Sequence, residues 1–561
     1  MYIPKFTIIK LAMMLVIVGV FIYGNTLNNQ MFWDDYDGIV NNLYIRSWQY
    51  LPNYFTENLT AGAGITNNYW RPLLLLSYSI DYKIGGLNVF CFHLQNILWH
   101  ILASISLLFL ARKLSMGMLA SFLTALFFLI HPLQTEAVAY VSGRADPMHA
   151  ALMFLSFIFF IKTVNSFHRS FYALSLAFFI LALLTKERSV ILIPILISFL
   201  FLMRKENAYF FKKYILTVPF IIIGGIFSII RIFILHFASY FVPDIGHNIL
   251  TLDIYHKIII YIKTIVIYTK LIVYPSDLHM MRTIECSSVV TDMYVLSGLA
   301  ILVWIGWISF KFFKYNPGLV FGITWAVIAI TPTIYTLTIQ GYVYEHWLYP
   351  VLPGVFIAIF SWLDKLTVLI KNKFFVKIVY GIIINVVIIL SIKTIYRNND
   401  WKNPVTFYEK NIKAGSEASI MYVNLGVAYA NEFKYEQAVD MYEKAIDKND
   451  KIVQPRYNLG NVYRLMNLEE QALDEYKKAI EIDPLFFSAY KNSVVIYINQ
   501  NQYDRAISMI ENYIQISPFD LKGLQSMAII YYQKGDKVEA KKYIHKILKI
   551  EPDNDWAKAL L

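Results

Sequence analysis

Cysteine is almost missing from this chain. Two in 561 residues, Cys91 and Cys286, exclude a disulfide framework and any cysteine-built zinc centre. Whether those two pair with each other stays open on sequence alone. Charge is scarce as well: Asp, Glu, Lys and Arg make up 16% of the residues, where soluble domains run near a quarter. Glycines are too sparse around Gly62 and Gly64 to cradle a nucleotide, and neither H-E-x-x-H nor G-x-S-x-G occurs. Soluble-nucleotide chemistry, zinc peptidase chemistry and the serine-hydrolase elbow are therefore set aside. The net charge of +11 does not point to nucleic acid. No basic stripe is interleaved with exposed aromatics, and Lys and Arg instead cluster between apolar runs.

What the chain has in plenty is apolar and aromatic side chains, 57% and 16% of its residues. Runs long enough for a bilayer need about 20 residues. They fall near 7–24, 92–111, 117–133, 147–163, 170–185, 189–203, 214–235, 292–311, 317–336, 350–370 and 375–395, which makes eleven expected spans. The first lacks a small-x-small cleavage site and reads as an uncleaved signal anchor. Basic residues between spans (Arg112 and Lys113; Lys162, His168 and Arg169; Arg204, Lys205, Lys212 and Lys213; Lys311 and Lys314; Lys371, Lys373 and Lys377) share one side if Met1 is cytoplasmic. The carboxyl-terminal region then lies outside, in the periplasm beyond an inner membrane. Residues 254–274 are apolar but carry Lys257, Lys263 and Lys270, and fit an in-plane or re-entrant helix with Lys263 and Lys270 on one side.

Beyond about Asn398 a 34-residue period replaces the long apolar runs. Tyr429, Tyr463, Tyr497 and Tyr531 recur at that spacing, as do Ala438, Ala472, Ala506 and Ala540. Pro484, Pro518 and Pro552 close successive units, and Leu425-Gly426 returns as Leu459-Gly460. This is the tetratricopeptide pattern, with four repeats starting near 418, 452, 486 and 520 and an unpaired helix before them. The expected fold is all-α: a polytopic membrane domain, 1–397, followed by a repeat solenoid, 398–561.

The unusual residues gather in the outer loops: Asp34, Asp35 and Asp37; Trp70-Arg71-Pro72; His93; His131-Pro132; Glu136; Arg144-Ala145-Asp146; Lys186-Glu187-Arg188; and Glu345-His346. Each has an ordinary reading. Lys186-Glu187 makes a plain interfacial ion pair, His131 a packed helix end, and Arg71 an anchor at a helix start. Together, acids and bases on one membrane face suit a phosphate leaving group beside a proton acceptor. Asp35-Tyr36-Asp37 also spells D-x-D, a pattern able to hold a divalent cation, which is the weaker alternative to a metal-free site.

The stretches Phe32-Trp33-Asp34-Asp35 with Asn41-Asn42, Trp70-Arg71-Pro72-Leu73, Phe92-His93-Leu94-Gln95-Asn96 with His100, His131 to Val138 with Gly143 to Asp146, and Leu184 to Glu187 occur in this order. Together with the repeats they resemble the transmembrane and tetratricopeptide-repeat O-mannosyltransferases and their bacterial relatives, within the GT-C class of lipid-donor glycosyltransferases. One departure stands out. Where the family has Glu-Arg before a Leu-Tyr-Leu-Pro run, this chain has Glu345-His346-Trp347-Leu348-Tyr349-Pro350.

The resemblance implies transfer of a sugar, mannose or a similar hexose, from a polyprenyl phosphate to a protein Ser or Thr hydroxyl, with inversion and without a cofactor. It gives the base role to Asp34, with Asp35 second. Arg71, Arg144, Lys186 and Arg188 become the phosphate-binding cations, with His131 as a hydrogen-bond donor. Trp70, His93, Glu136, Asp146, Glu187, Glu345 and His346 are expected to support them. The repeats would hold the acceptor or a partner protein. Two other readings compete: a membrane-anchored repeat scaffold for envelope assembly with an inactive transferase core, and a transporter of lipid-linked sugars.

Overall fold

The computed structural model describes residues 7–202, 210–235, 253–284, 292–333, 342–370 and 372–560. Met1, Arg204, Lys205, Lys371 and Cys286 lie outside the described residues, so the Cys91–Cys286 pairing does too. Among the described residues the fold is helical, with one isolated bridge between Arg282 and Val343. The chain forms two compact units, Met1–Gly415 and Ser416–Leu561.

Among the described residues, six helical stretches of the first unit are long and apolar enough to cross a membrane: Ile8–Thr26, Val89–Lys113, Val141–Ser166, Lys213–Phe233, Met293–Phe312 and Phe374–Trp401. Met118–Ile130 with Pro132–Ala139 would make a seventh if the pair, bent by 54°, is counted as one. The other runs expected to span form shorter helices, Arg169–Thr185, Leu192–Leu202 and Pro317–Ile330, or the helix Leu352–Leu369. Length and composition thus support six or seven spans, and eleven remains the sequence's expectation.

Close helix contacts are made by small residues, as bilayer packing favours. A Cβ on Gly322 would lie 2.4 Å from the Ala358 nitrogen, and one on Gly354 2.6 Å from that of Ala326. Ser156 and Ser175 each donate to the other's carbonyl at 2.7 Å, a polar tie between neighbouring helices. Ile254–Val273 is a helix, but its lysines do not share a solvent face. Lys263 is buried against Asp292 at 2.6 Å, whereas Lys270 is exposed.

A break at Pro132 builds the frame of the candidate site. Pro132 has no amide hydrogen to continue the Met118–Ile130 helix. Residues 132–144 therefore fold back as three short helical turns, buried almost throughout. At Gly143 any side chain would meet the Glu136 carbonyl at 2.6 Å, so only glycine lets this fold-back close. The domain boundary also differs from the expected one. Residues 399–413 pack Trp401, Phe407 and Tyr408 into an aromatic cluster with Phe32, Trp33 and Tyr140, and so belong to the first unit.

The second unit is four helix pairs, from Ser419–Asn431 with Tyr435–Lys448 to Leu521–Lys534 with Lys537–Ile550. Gly426 and Gly460 leave room for the rings of Tyr442 and Tyr476, which a Cβ would approach to 2.5 and 2.6 Å. Each pair turns through a left-handed residue: Phe433, Asn467, Asn501 and Gly535, again 34 apart.

Candidate active site

The acidic stretch forms a tight turn. Trp33 has φ 55°, and the amides of Asp35 and Tyr36 reach back to the carbonyls of Phe32 and Trp33 at 3.2 and 3.0 Å. The turn sends the two neighbouring acids to different places. Asp35 is 1% exposed. Its Oδ1 accepts from the Ser142 amide at 2.8 Å and the Ser142 hydroxyl at 2.5 Å, and its Oδ2 from the Phe32 amide at 3.3 Å. Burial raises its proton affinity to about 7, against those three donors. Asp35 therefore ties the turn to the fold-back and offers little to a reactant. Asp34 keeps solvent contact. Protein nonetheless surrounds it closely enough that burial, then repulsion from Asp37, pushes it up to about 6. A carboxylate that is both exposed to solvent and crowded by protein can act as a base near neutral pH.

Cationic groups cluster around Arg71, which itself acts on Asp34. Arg71 donates through Nε and Nη2 to both oxygens of Glu187, at 3.2 and 2.9 Å, and stacks on Tyr69 at 4.5 Å. Burial opposes the charge on each partner. The pair outweighs it, holding Arg71 above its ordinary range and Glu187 well below the usual carboxylate range. Lys186 meets Asp146 at 2.6 Å, with burial pulling its ammonium down. Arg188 lies over the Trp347 ring at 5.2 Å. His346 is held by Glu136, which takes its amide at 3.0 Å and Nδ1 at 2.5 Å. Arg71 and His346 are both near enough to Asp34 to favour its ionised form. Arg71 is thus paired with Glu187 and Lys186 with Asp146.

Other expected contacts are redirected. Arg144 is 0% exposed; it donates to Asn96, Gln95, Ser77 and the Phe92 carbonyl, and forms an ion pair with Asp81 at 2.6 Å. A guanidinium so deeply buried, with four of its five N–H groups committed and its charge paired with Asp81, is not presented to a phosphate. His131 is also corrected. Its Nδ1 accepts from the Leu133 amide, so the proton lies on Nε2, which donates to the Ile272 carbonyl at 3.1 Å. His93 holds the Asn29 carbonyl at 3.1 Å, and Trp70 donates to that of Phe55 while stacking on Phe227. Glu345 is buried between Arg282 and Arg397 and also accepts the His279 amide. It stands apart from its neighbour His346, which turns to Glu136.

In the D-x-D pair, Asp35 already accepts from Ser142 and Phe32. Among the described residues no three His, Cys, Asp or Glu side chains group as a metal site. Sequence reasoning overlooked Asp81, Arg282, Arg397 and above all Tyr140, whose hydroxyl meets the Asp34 amide at 2.9 Å. One tyrosine among 41 carries no signal of its own.

Fold and site together define a helical membrane protein with a buried polar network, ending in tetratricopeptide repeats. The tetratricopeptide repeat family matches residues 420–449, 453–484 and 521–554. The chain is similar to the human protein O-mannosyl-transferases TMTC1, TMTC2 and TMTC4. The first is 33% identical over 150 residues, covering 26% of this chain and 17% of the relative. The second is 36% identical over 151 residues, covering 26% and 18%. The third is 30% identical over 164 residues, covering 26% and 22%. The matched part thus spans about a fifth of those relatives' length. Among solved structures, MamA is 26% identical, covering 26% of this chain and 86% of that chain, with a TM-score of 0.24.

Proposed function

We propose that the protein is a membrane glycosyltransferase that moves mannose, or a similar hexose, from a polyprenyl phosphate to a Ser or Thr hydroxyl of a protein. The observation that carries this reading is Asp34: a solvent-exposed carboxylate of raised proton affinity, close enough to Arg71 and His346 for both to favour its ionised form. The similarity to protein O-mannosyl-transferases supports the same chemistry. Asp34 accepts the hydroxyl proton as the oxygen bonds to the sugar's C1. The C1–O bond to phosphate breaks, and the lipid phosphate leaves with the electron pair. Arg71, Lys186 and Arg188 receive that growing charge, and Glu187 and Asp146 hold the first two in place. Asp35, Arg144, His131 and Glu345 brace the site without touching the reactants.

In this reading the reaction lies on the outer face of the inner membrane, with the amino terminus cytoplasmic and the repeats presenting the acceptor. Purified protein incubated with polyprenyl-phosphate mannose and a Ser/Thr peptide tests it. Wild type transfers, whereas Asp34→Asn loses roughly 10²–10⁴-fold while still binding donor. Transfer by Asp34→Asn at the wild-type rate sinks the base assignment.

A further inference from the structure

We infer that the outer face of the last repeat helix, Lys537–Ile550, docks on an anionic lipid surface. The inference goes beyond sugar transfer and holds whichever reaction the first unit runs. Lys541, Lys542, His545, Lys546 and Lys549 are all exposed, and their spacing puts them on one face of the helix. Ala540, Ile544 and Ile547 are buried on the opposite side. Val538 lies on the basic face one turn earlier and is 70% exposed. Of the four lysines only Lys542 has a carboxylate partner among the described residues, Glu539. Lys546 lies over the Tyr543 ring at 4.6 Å. The acids that follow, Glu551, Asp553 and Asp555, lie past the helix end, and Asp553 is paired with Lys558 at 2.9 Å.

The 34-residue register shows what is unusual about this face. Lys541 stands where Leu473 and Ile507 pack against the following repeat. No repeat follows the last one, so a polar residue there is the ordinary cap of a solenoid. Capping does not explain the change of sign elsewhere. Lys542 stands where earlier repeats have Asp440 and Asp474, His545 where they have Glu443 and Glu511, and Lys549 where they have Asp447 and Glu481. The earlier outer lysines are neutralised in place, Lys444 by Asp440 and Lys478 by Asp474 and Glu475. A cap can carry either sign, and this one drops the acids and keeps the cations. Charges spread over about 12 Å of helix match an extended anionic surface better than a single bound anion. Lysine stems can lie along such a surface while their ammonium groups reach its phosphates. A bilayer is also the partner nearest to hand. The same chain carries membrane-length helices up to Trp401, and the first repeat helix starts at Ser419. That tether keeps lipid at a high effective concentration, so a contact too weak to anchor a free protein is enough here.

The test is lysine acetylation of the full-length protein in lipid nanodiscs, read residue by residue by mass spectrometry. The reagent, N-hydroxysuccinimidyl acetate, is uncharged, so lipid charge neither repels nor concentrates it. Nanodiscs of phosphatidylcholine alone are compared with nanodiscs that also contain phosphatidylglycerol. With phosphatidylglycerol at low salt, Lys541, Lys546 and Lys549 should react at least about fivefold more slowly. Salt at about 0.5 M should restore their rates. Lys444 and Lys477, on the earlier outer helices, should react alike in both. Lys542→Glu combined with Lys549→Glu puts back the acids of the earlier repeats, at exposed positions where folding is not at stake. In that variant Lys541 and Lys546 should react at one rate in both lipids. Equal rates in both lipids for the wild type, equal slowing of every lysine, or slowing that survives the variant overturns the inference. Slowing by added poly-glutamate in phosphatidylcholine nanodiscs, with none from phosphatidylglycerol, also overturns it and gives the face to an acidic protein.

Discussion

The two units handle charge in opposite ways. In the repeats most ion pairs lie in solvent, as with Lys444–Asp440 and Lys534–Asp504, where side chains are about half exposed or more on at least one partner. Such pairs are weak and interchangeable. In the membrane unit the charges are few and sunk: Arg144 against Asp81, Lys186 against Asp146, Glu345 between Arg282 and Arg397. There each partner is indispensable to the other, because an unpaired buried charge is costly. One unit is held by repeated packing and the other by unique polar contacts, so the same kind of substitution has different consequences in the two.

Arg144→Met sharpens that contrast most. It leaves Asp81 buried without its cation, and unfolding measurements in detergent should show a loss of about 3–5 kcal/mol. Gly460→Ala tests the repeats' own weak point. Its methyl would lie 2.6 Å from the Tyr476 ring, and overpacking of about 1–3 kcal/mol outweighs the roughly 1 kcal/mol gained from helix propensity. Thermal unfolding of the repeat unit should fall, with transfer to a short peptide untouched. Phe433→Asn should move the other way. Phe433 is 78% exposed and left-handed, at φ 60°. Asn tolerates that backbone better, for a gain of about 0.5–1 kcal/mol. Lys444→Ala should cost only about 0.3–0.5 kcal/mol. A loss from Lys444→Ala as large as that from Arg144→Met would erase the distinction.

The same contrast explains what was legible in the sequence. The repeats announce themselves because their contacts are local and recur: Gly460 and Tyr476 lie 16 positions apart, as Gly426 and Tyr442 do. Even the left-handed turns keep the period. In the membrane unit, residue types were readable but partners were not. Asp34, Arg71, Lys186 and Glu187 stand out as charges at the ends of apolar runs. That Arg144 turns inward to Asp81 follows from helices meeting in space, and no spacing encodes it. Neighbours on the chain mislead most: Asp34 and Asp35 look equivalent, yet one faces solvent and the other is bound by Ser142. Glu345 and His346 divide in the same manner. Spans broken at Pro132 or shortened near Leu192 explain why apolar runs outnumber the long helices.

The bidentate contact of Arg71 with Glu187 joins residues 116 positions apart. During synthesis the arginine emerges long before its carboxylate exists, and several helices must enter the bilayer in the interval. This ion pair is thus completed late, once the chain has delivered Glu187. A nascent protein stalled before that point would carry Arg71 without the carboxylate that pairs with it.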